Sequence, residues 1–140
     1  MTPRALLALT LPLLTLLPAC GDSPSAIQAR QETVEAWAAL RAYGEDQREA
    51  FVKELNARIA VLDRQLDELK ARSARSTAES RVEIERELTD LQGRRGALAE
   101  KLAALEQASK EAWTGARDAT VDAFESLADG INAAVDKTAR

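Results

Sequence analysis

Cys20 is the only thiol in the 140-residue chain. It stands where an apolar run ends at Leu17 and a short polar stretch, Gly21 to Ser25, begins. The other groups that could do chemistry are carboxylates. Asp63, Asp67, Glu83 and Glu87 are spaced along helix faces, whereas acid–base catalysis needs one carboxyl held in a pocket that moves its pKa. A thin coiled coil has few such pockets, so these side chains read as solvated surface charge. The chain contains no histidine, which removes the commonest general base together with His-based metal sites and triads. Gly93-Arg94-Arg95-Gly96 is too short for a phosphate-binding loop and follows no strand pattern. The expectation is a non-enzyme, without catalytic residues, metal site, cofactor or small-molecule substrate.

The residues before Cys20 have the make-up of an export signal. Arg4 is their only charge, and a leucine-rich run from Ala5 to Leu17 follows it. At about 13 residues the run is too short to span a bilayer as a helix, and Pro12 interrupts it. A basic start, a short apolar core and small residues behind it are the parts of a cleavable signal.

Leu17-Pro18-Ala19-Cys20 resembles the bacterial lipobox, at which a signal peptidase cuts just before a diacylated cysteine. Leu17, Ala19 and Cys20 fit that pattern, while Pro18 stands where Ala, Ser, Thr, Val or Ile is usual. The resemblance implies a signal peptide over 1–19 ending at Ala19, lipidation of Cys20 with diacylglycerol and an acyl chain, and a tether over 20–25. Acylation would also account for an unpaired cysteine in an exported chain. In lipoproteins an Asp directly after the cysteine favours the inner membrane. Gly21 is there instead, with Asp22 one place later, so the resemblance implies the outer membrane, facing the periplasm, in a Gram-negative cell. Several acyl chains make a stable anchor where one is marginal. The alternative is ordinary secretion with cleavage after Gly21, which would discard Cys20.

Residues 26–140 read as one helical domain. Apolar residues make up 46% of the chain, aromatics only 4% and charged residues 30%, a mix that favours long helices or coiled coil. No stretch alternates as a strand does. From Ala26 onward there is no proline, and only five glycines could interrupt a helix. Val52, Leu55, Ile59, Leu62, Leu66 and Leu69 follow heptad spacing, as do Ile84, Leu88, Leu91, Leu98, Leu102 and Leu105, with Arg95 in the one empty place. Between the two seams, Ala71 to Ser80 puts serines at the seam positions. Ser76-Thr77-Ala78-Glu79 and Ser80-Arg81-Val82-Glu83 both fit the capping box. The fold expected is all-α: a long antiparallel coiled-coil hairpin turning near 76–80, with arms of about 50 residues, or about 75 Å, that could self-associate into a bundle. One uninterrupted, oligomeric coiled-coil helix is the alternative.

An antiparallel alignment sets Leu69 opposite Leu88, Leu66 opposite Leu91, Ile59 opposite Leu98, Leu55 opposite Leu102 and Val52 opposite Leu105. Continued outward with a slip of about one residue, it brings Tyr43 and Gly44 to Trp113, Trp37 to Val121, Val34 to Phe124 and Ile27 to Ile131. Five outer-face pairs at i,i+4 complete the picture: Glu49–Lys53, Glu54–Arg58, Glu68–Arg72, Asp90–Arg94 and Glu106–Lys110. Each contributes only about 0.2–0.5 kcal/mol.

The stretch from Ala112 onward is different, with an apolar face made by Trp113, Val121, Phe124, Leu127, Ile131 and Val135. Either it packs on Ile27, Val34, Trp37 and Leu40, or it is an interaction face, carried by Trp113, Phe124, Leu127 and Ile131, for a partner or a membrane.

Arg4 is the only one of the 19 basic residues before Cys20, so the chain from Cys20 carries 18 basic and 23 acidic side chains, a net charge of −5. That is no electrostatic footprint for nucleic acid. As a whole the chain resembles small bacterial coiled-coil lipoproteins, and more loosely the murein lipoprotein. Lys137 is followed by Thr138, Ala139 and Arg140, so the murein lipoprotein's C-terminal lysine linkage does not carry over. The expected role is a structural or adaptor element of the envelope, anchored in the membrane by lipid and binding itself or an envelope protein. A membrane-surface or stress-protective helical protein, and an accessory or inhibitory subunit of an envelope enzyme or transporter, are the rival readings.

Overall fold

The computed structural model describes residues 36–138. The expected signal segment, Ala19, Cys20, the expected tether, Ile27 and Val34 lie outside the described residues. Within them every regular element is helical. The described residues open in helix, which ends at residue 41, and a connection over 42–47 contains one 3-10 turn, Glu45–Gln47. Three long helices follow: α1 (Arg48–Arg75), α2 (Ala78–Glu106) and α3 (Trp113–Thr138).

The reversal between the two seams falls at Ser76 and Thr77, so the uninterrupted helix is not formed. Both residues are extended, at φ −83° and −60° with ψ near 160°. The local chemistry differs in detail from a capping box. Ser76 Oγ donates back to the Arg72 carbonyl and so closes the end of α1. Thr77, not Ser76 or Ser80, is the N-cap of α2, and its Oγ1 accepts from the Ser80 amide. Arg81 reaches back to the Ser73 and Ser76 carbonyls, satisfying acceptors that a helix end leaves without partners.

The arms are not 50 residues long. α1 has 28 residues and α2 has 29, because the chain reverses again at 107–112. No glycine or proline marks that turn. Ser109 supplies it instead, its Oγ accepting from the Ala112 amide ahead of α3. At the same end of the molecule, the connection 42–47 reverses the chain between segment 36–41 and α1. Arg48 ties the two reversals together by donating to the Glu106 and Ala108 carbonyls at 3.0 and 2.5 Å.

α2 runs antiparallel to both α1 and α3, so α1 and α3 are parallel. α3 packs most extensively on α2. The seam residues Leu55, Ile59, Leu62, Leu66, Leu69, Ile84, Leu88, Leu91, Leu98 and Leu105 are buried. Two seam positions differ from expectation. Val52 and Leu102 are half-buried, and Phe51 is fully buried beside Val52. The reason is α3: it arrives on the Phe51 side of α1 and puts Trp113 against that ring, centroids 5.6 Å apart. Each Leu, Ile or Phe so covered contributes roughly 1.5–3 kcal/mol relative to exposure.

Arg95 does not enter the core. Its guanidinium swings out to Asp63 at 2.8 Å, one residue from the alignment that sets Ile59 opposite Leu98. Of the five expected outer-face pairs, Glu54–Arg58 and Asp90–Arg94 lie within ion-pair distance. Arg72 bonds Thr138 instead, and Lys110 lies in the turn that follows α2. α2 and α3 approach closely at Gly130, where a Cβ would lie 2.7 Å from Leu91 Cδ2 and 2.8 Å from Arg94 Nη1. Among the described residues no helix is long and apolar enough to cross a membrane.

Candidate interaction surface

Of the two alternatives for the apolar face of α3, packing within the chain or an interaction face, the residues are found packed inside the molecule. Trp113 is 2% exposed, Phe124 5%, and Leu127 and Ile131 are fully buried. Their apolar spacing reflects packing on the chain's own helices. Of the expected packing partners, Trp37 stacks on Phe124 with centroids 5.0 Å apart, and Leu40 is buried in the same core. Tyr43 meets Trp113 as the outward alignment expected, while Trp37 meets Phe124 rather than Val121, about one helical turn along.

Around this aromatic end the polar groups form two clusters. In the first, Trp113 Nε1 and Arg117 Nη1 both donate to the Tyr43 carbonyl, at 2.9 and 3.0 Å. The Tyr43 hydroxyl donates to Glu54, which also accepts from Arg58. Arg48 lies 5.3 Å from the Trp113 ring centroid, a cation–π contact. Hydrogen bonding from Tyr43, then from Arg58, lowers the Glu54 pKa, and the same Tyr43–Glu54 bond raises the tyrosine's.

In the second cluster Arg41, on segment 36–41, faces three carboxylates of α3. Asp122 is 2.5 Å away, Glu125 3.4 Å and Asp118 3.7 Å. The Asp122 hydrogen bond, helped by the charges of Asp122, Asp118 and Glu125, raises the Arg41 pKa against an opposing desolvation. None of these residues stood out in the sequence. Their signal was there: Asp118, Asp122 and Glu125 fall at i, i+4 and i+7, one helical face.

At the opposite end a cleft of about 320 Å³ opens beside the hairpin turn, lined by Ser76, Thr77, Ser80, Glu83, Glu87 and Lys137, among others. Glu87 is paired with Lys137 at 2.7 Å, and their hydrogen bond raises the lysine's pKa. Asp63 pairs with Arg95, and Asp67 lies 3.7 Å from Lys70. Of the four carboxylates singled out in the sequence, Glu83 and Glu87 therefore share this cleft, while Asp63 and Asp67 lie apart from it on α1. Among the described residues no group of three or more His, Cys, Asp and Glu is arranged to hold a metal ion.

The surface left for a partner is thus polar and of mixed sign. Val61 and Val82, 44% and 59% exposed, are its large exposed hydrophobics among the described residues. Compared with protein-family models, with curated proteins and with solved structures, the chain matches none.

Proposed function

We propose that this chain is a lipid-anchored, non-catalytic helical protein of the bacterial cell envelope, held to the outer membrane through Cys20 and acting as a structural or adaptor element. The observation that carries the reading is Leu17-Pro18-Ala19-Cys20, placed directly between a short apolar run and a polar tether. Two features of the fold support it. The heptad seams of α1 and α2 are covered by the chain's own α3, a compact body for a tether to carry. Asp63 is engaged with Arg95 on the surface and Glu87 with Lys137 in the cleft beside the hairpin turn, a structural use of both carboxylates. Self-association through coiled-coil contacts, or docking to an envelope protein, would use the polar outer faces of the helices.

The membrane-surface reading draws less support. It requires α3 to leave the core and expose Phe124, Leu127 and Ile131, each of which costs roughly 1.5–3 kcal/mol to uncover.

The test is fractionation of cells that make the full chain or its Cys20→Ser variant, with labelled fatty acid in the medium. The expected result is a labelled wild-type protein in the membrane fraction and an unlabelled variant outside it. A variant that stays firmly in the membrane, or a wild type without label, would overturn the anchor.

A further inference from the structure

α2 meets α1 on the side that bears Arg95 and meets α3 on the side that bears Glu87 and Arg94. Its remaining side faces outward. Val82, Arg86, Thr89, Gly93, Gly96 and Glu100 are all exposed there, separated by 4, 3, 4, 3 and 4 residues. The buried seams follow the same heptad rule, but no element among the described residues covers this stripe.

Three of its properties have no use within the chain. Val82, at 59%, is the more exposed of the two large exposed hydrophobics. Gly93 and Gly96 each weaken a helix interior by about 0.5–1 kcal/mol relative to alanine, yet a Cβ on either would meet nothing within 4 Å. At Gly130, by contrast, a Cβ would lie 2.7 Å from Leu91, so that glycine serves the α2–α3 contact. Arg86 and Glu100 stand seven residues to either side of Gly93. Neither has an ion-pair partner among the described residues, whereas Asp90 between them is held by Arg94.

We propose that this face is a dimer surface whose occupant is the same face of a second copy of this chain, crossing antiparallel at Gly93. The charges select both the occupant and its direction. About a two-fold axis at Gly93, Arg86 of each copy meets Glu100 of the other, so an ion pair forms on each side of the crossing. A parallel pairing would set Arg86 on Arg86 and Glu100 on Glu100. Self-complementarity of this kind, residue i meeting j and j meeting i, defines a two-fold interface. The glycines permit the approach. Packed helix axes lie about 8–10 Å apart according to the side chains between them, and two glycines at the crossing allow the near end of that range. Val82 then comes level with Ala104 of the second copy, which removes an exposed apolar side chain from water. This gives the self-association named above a face and a register, and it rests on neither the anchor at Cys20 nor export.

Sedimentation equilibrium of the intact protein tests the surface from about 1 to about 200 µM, in excess detergent so that acyl chains do not gather copies. The expected result is a monomer–dimer equilibrium. Arg86→Glu and Glu100→Arg should each weaken it by at least about tenfold, because like charges then face each other across the interface. Both side chains are exposed, so helicity by circular dichroism should not change. Mixed in equal amounts, the two variants should pair with each other, since each supplies the charge that the other lacks. Gly93→Gln favours the helix itself and should still weaken the dimer, by blocking the approach. A wild type that stays monomeric throughout overturns the dimer and leaves the face to another occupant. An association indifferent to Arg86→Glu, or two variants whose mixture recovers nothing, overturns it equally by placing the contact elsewhere. These outcomes read a charge pair and not an acyl group, so a failed dimer and a failed anchor are told apart.

Discussion

Asp63 and Glu87 each pair across a helix interface, with Arg95 and Lys137. Arg95 shows how a charged residue is accommodated at a seam position: it leaves the seam and pairs with Asp63 across the α1–α2 interface. An exposed pair of this kind is worth about 0–1 kcal/mol, whereas truncating a fully buried leucine costs about 2–5 kcal/mol. Asp63→Ala should therefore lower the thermal midpoint only slightly and Leu98→Ala severely, in melts followed by circular dichroism. The Tyr43–Glu54 bond gives a pH dependence whose sign follows from its two partners. Glu54 lies below its ordinary pKa, so its contribution is present above that value and lost as pH falls through the lowered one. Tyr43 lies above its ordinary pKa, so its contribution is present below that value and lost as pH rises through the raised one. The destabilisation caused by Tyr43→Phe should be largest between, narrowing below about pH 4 and above about pH 10.

At the scale of the elements, the two long reversals differ in how readable they were. The turn at Ser76 and Thr77 announces itself, because serines replace the apolar seam just where small hydroxyl residues can cap both helices. The turn at 107–112 carries no such break. Leu105 is followed by only a few polar residues before Trp113, and there the Ser109 hydroxyl and carbonyl both accept from the Ala112 amide. Heptad counting runs through such a point, since one polar residue at a seam position looks like a local defect. Ser109→Ala should cost no more than about 0.5 kcal/mol, the low end for one hydrogen bond, because the Ala112 amide keeps the Ser109 carbonyl as acceptor, measured by urea titration. The glycines separate in the same way. Gly93 and Gly96 sit inside α2 with open space around them, so alanine there should stabilise by about 0.5–1 kcal/mol each through helix propensity. Gly130 faces Leu91, which is 1% exposed. Gly130→Ala should lower the thermal midpoint while Gly93→Ala raises it.

For the molecule as a whole, the all-helical class and the α1–α2 pairing were legible from apolar spacing, and the length of the arms was not. The outward alignment nevertheless placed Tyr43 beside Trp113 and brought Trp37 to within a turn of its partner. The geometry explains why. The chain reverses before α1 and after α2 at the same end of the molecule. Two arms that fold back at the same level still meet each other antiparallel, so a pattern written for a straight hairpin survives as the pairing of segment 36–41 with α3. What the pattern did not foresee was the covering of the α1–α2 stripe by α3; that Trp113, Phe124, Leu127 and Ile131 pack inside the chain with Trp37 and Leu40 was one of its two readings. The clusters around Arg41 and Tyr43 were hidden for the same reason, since they exist only once α3 has returned.

The account of what this protein does turns on Cys20, and mass spectrometry of the N-terminal peptide of the protein isolated from its native membranes tests it most directly. The predicted result is a chain that begins at Cys20 and carries the mass of a diacylglycerol and an acyl group. A chain that begins at Asp22, or an unmodified Cys20 within a longer peptide, would contradict the lipid anchor and with it the envelope adaptor.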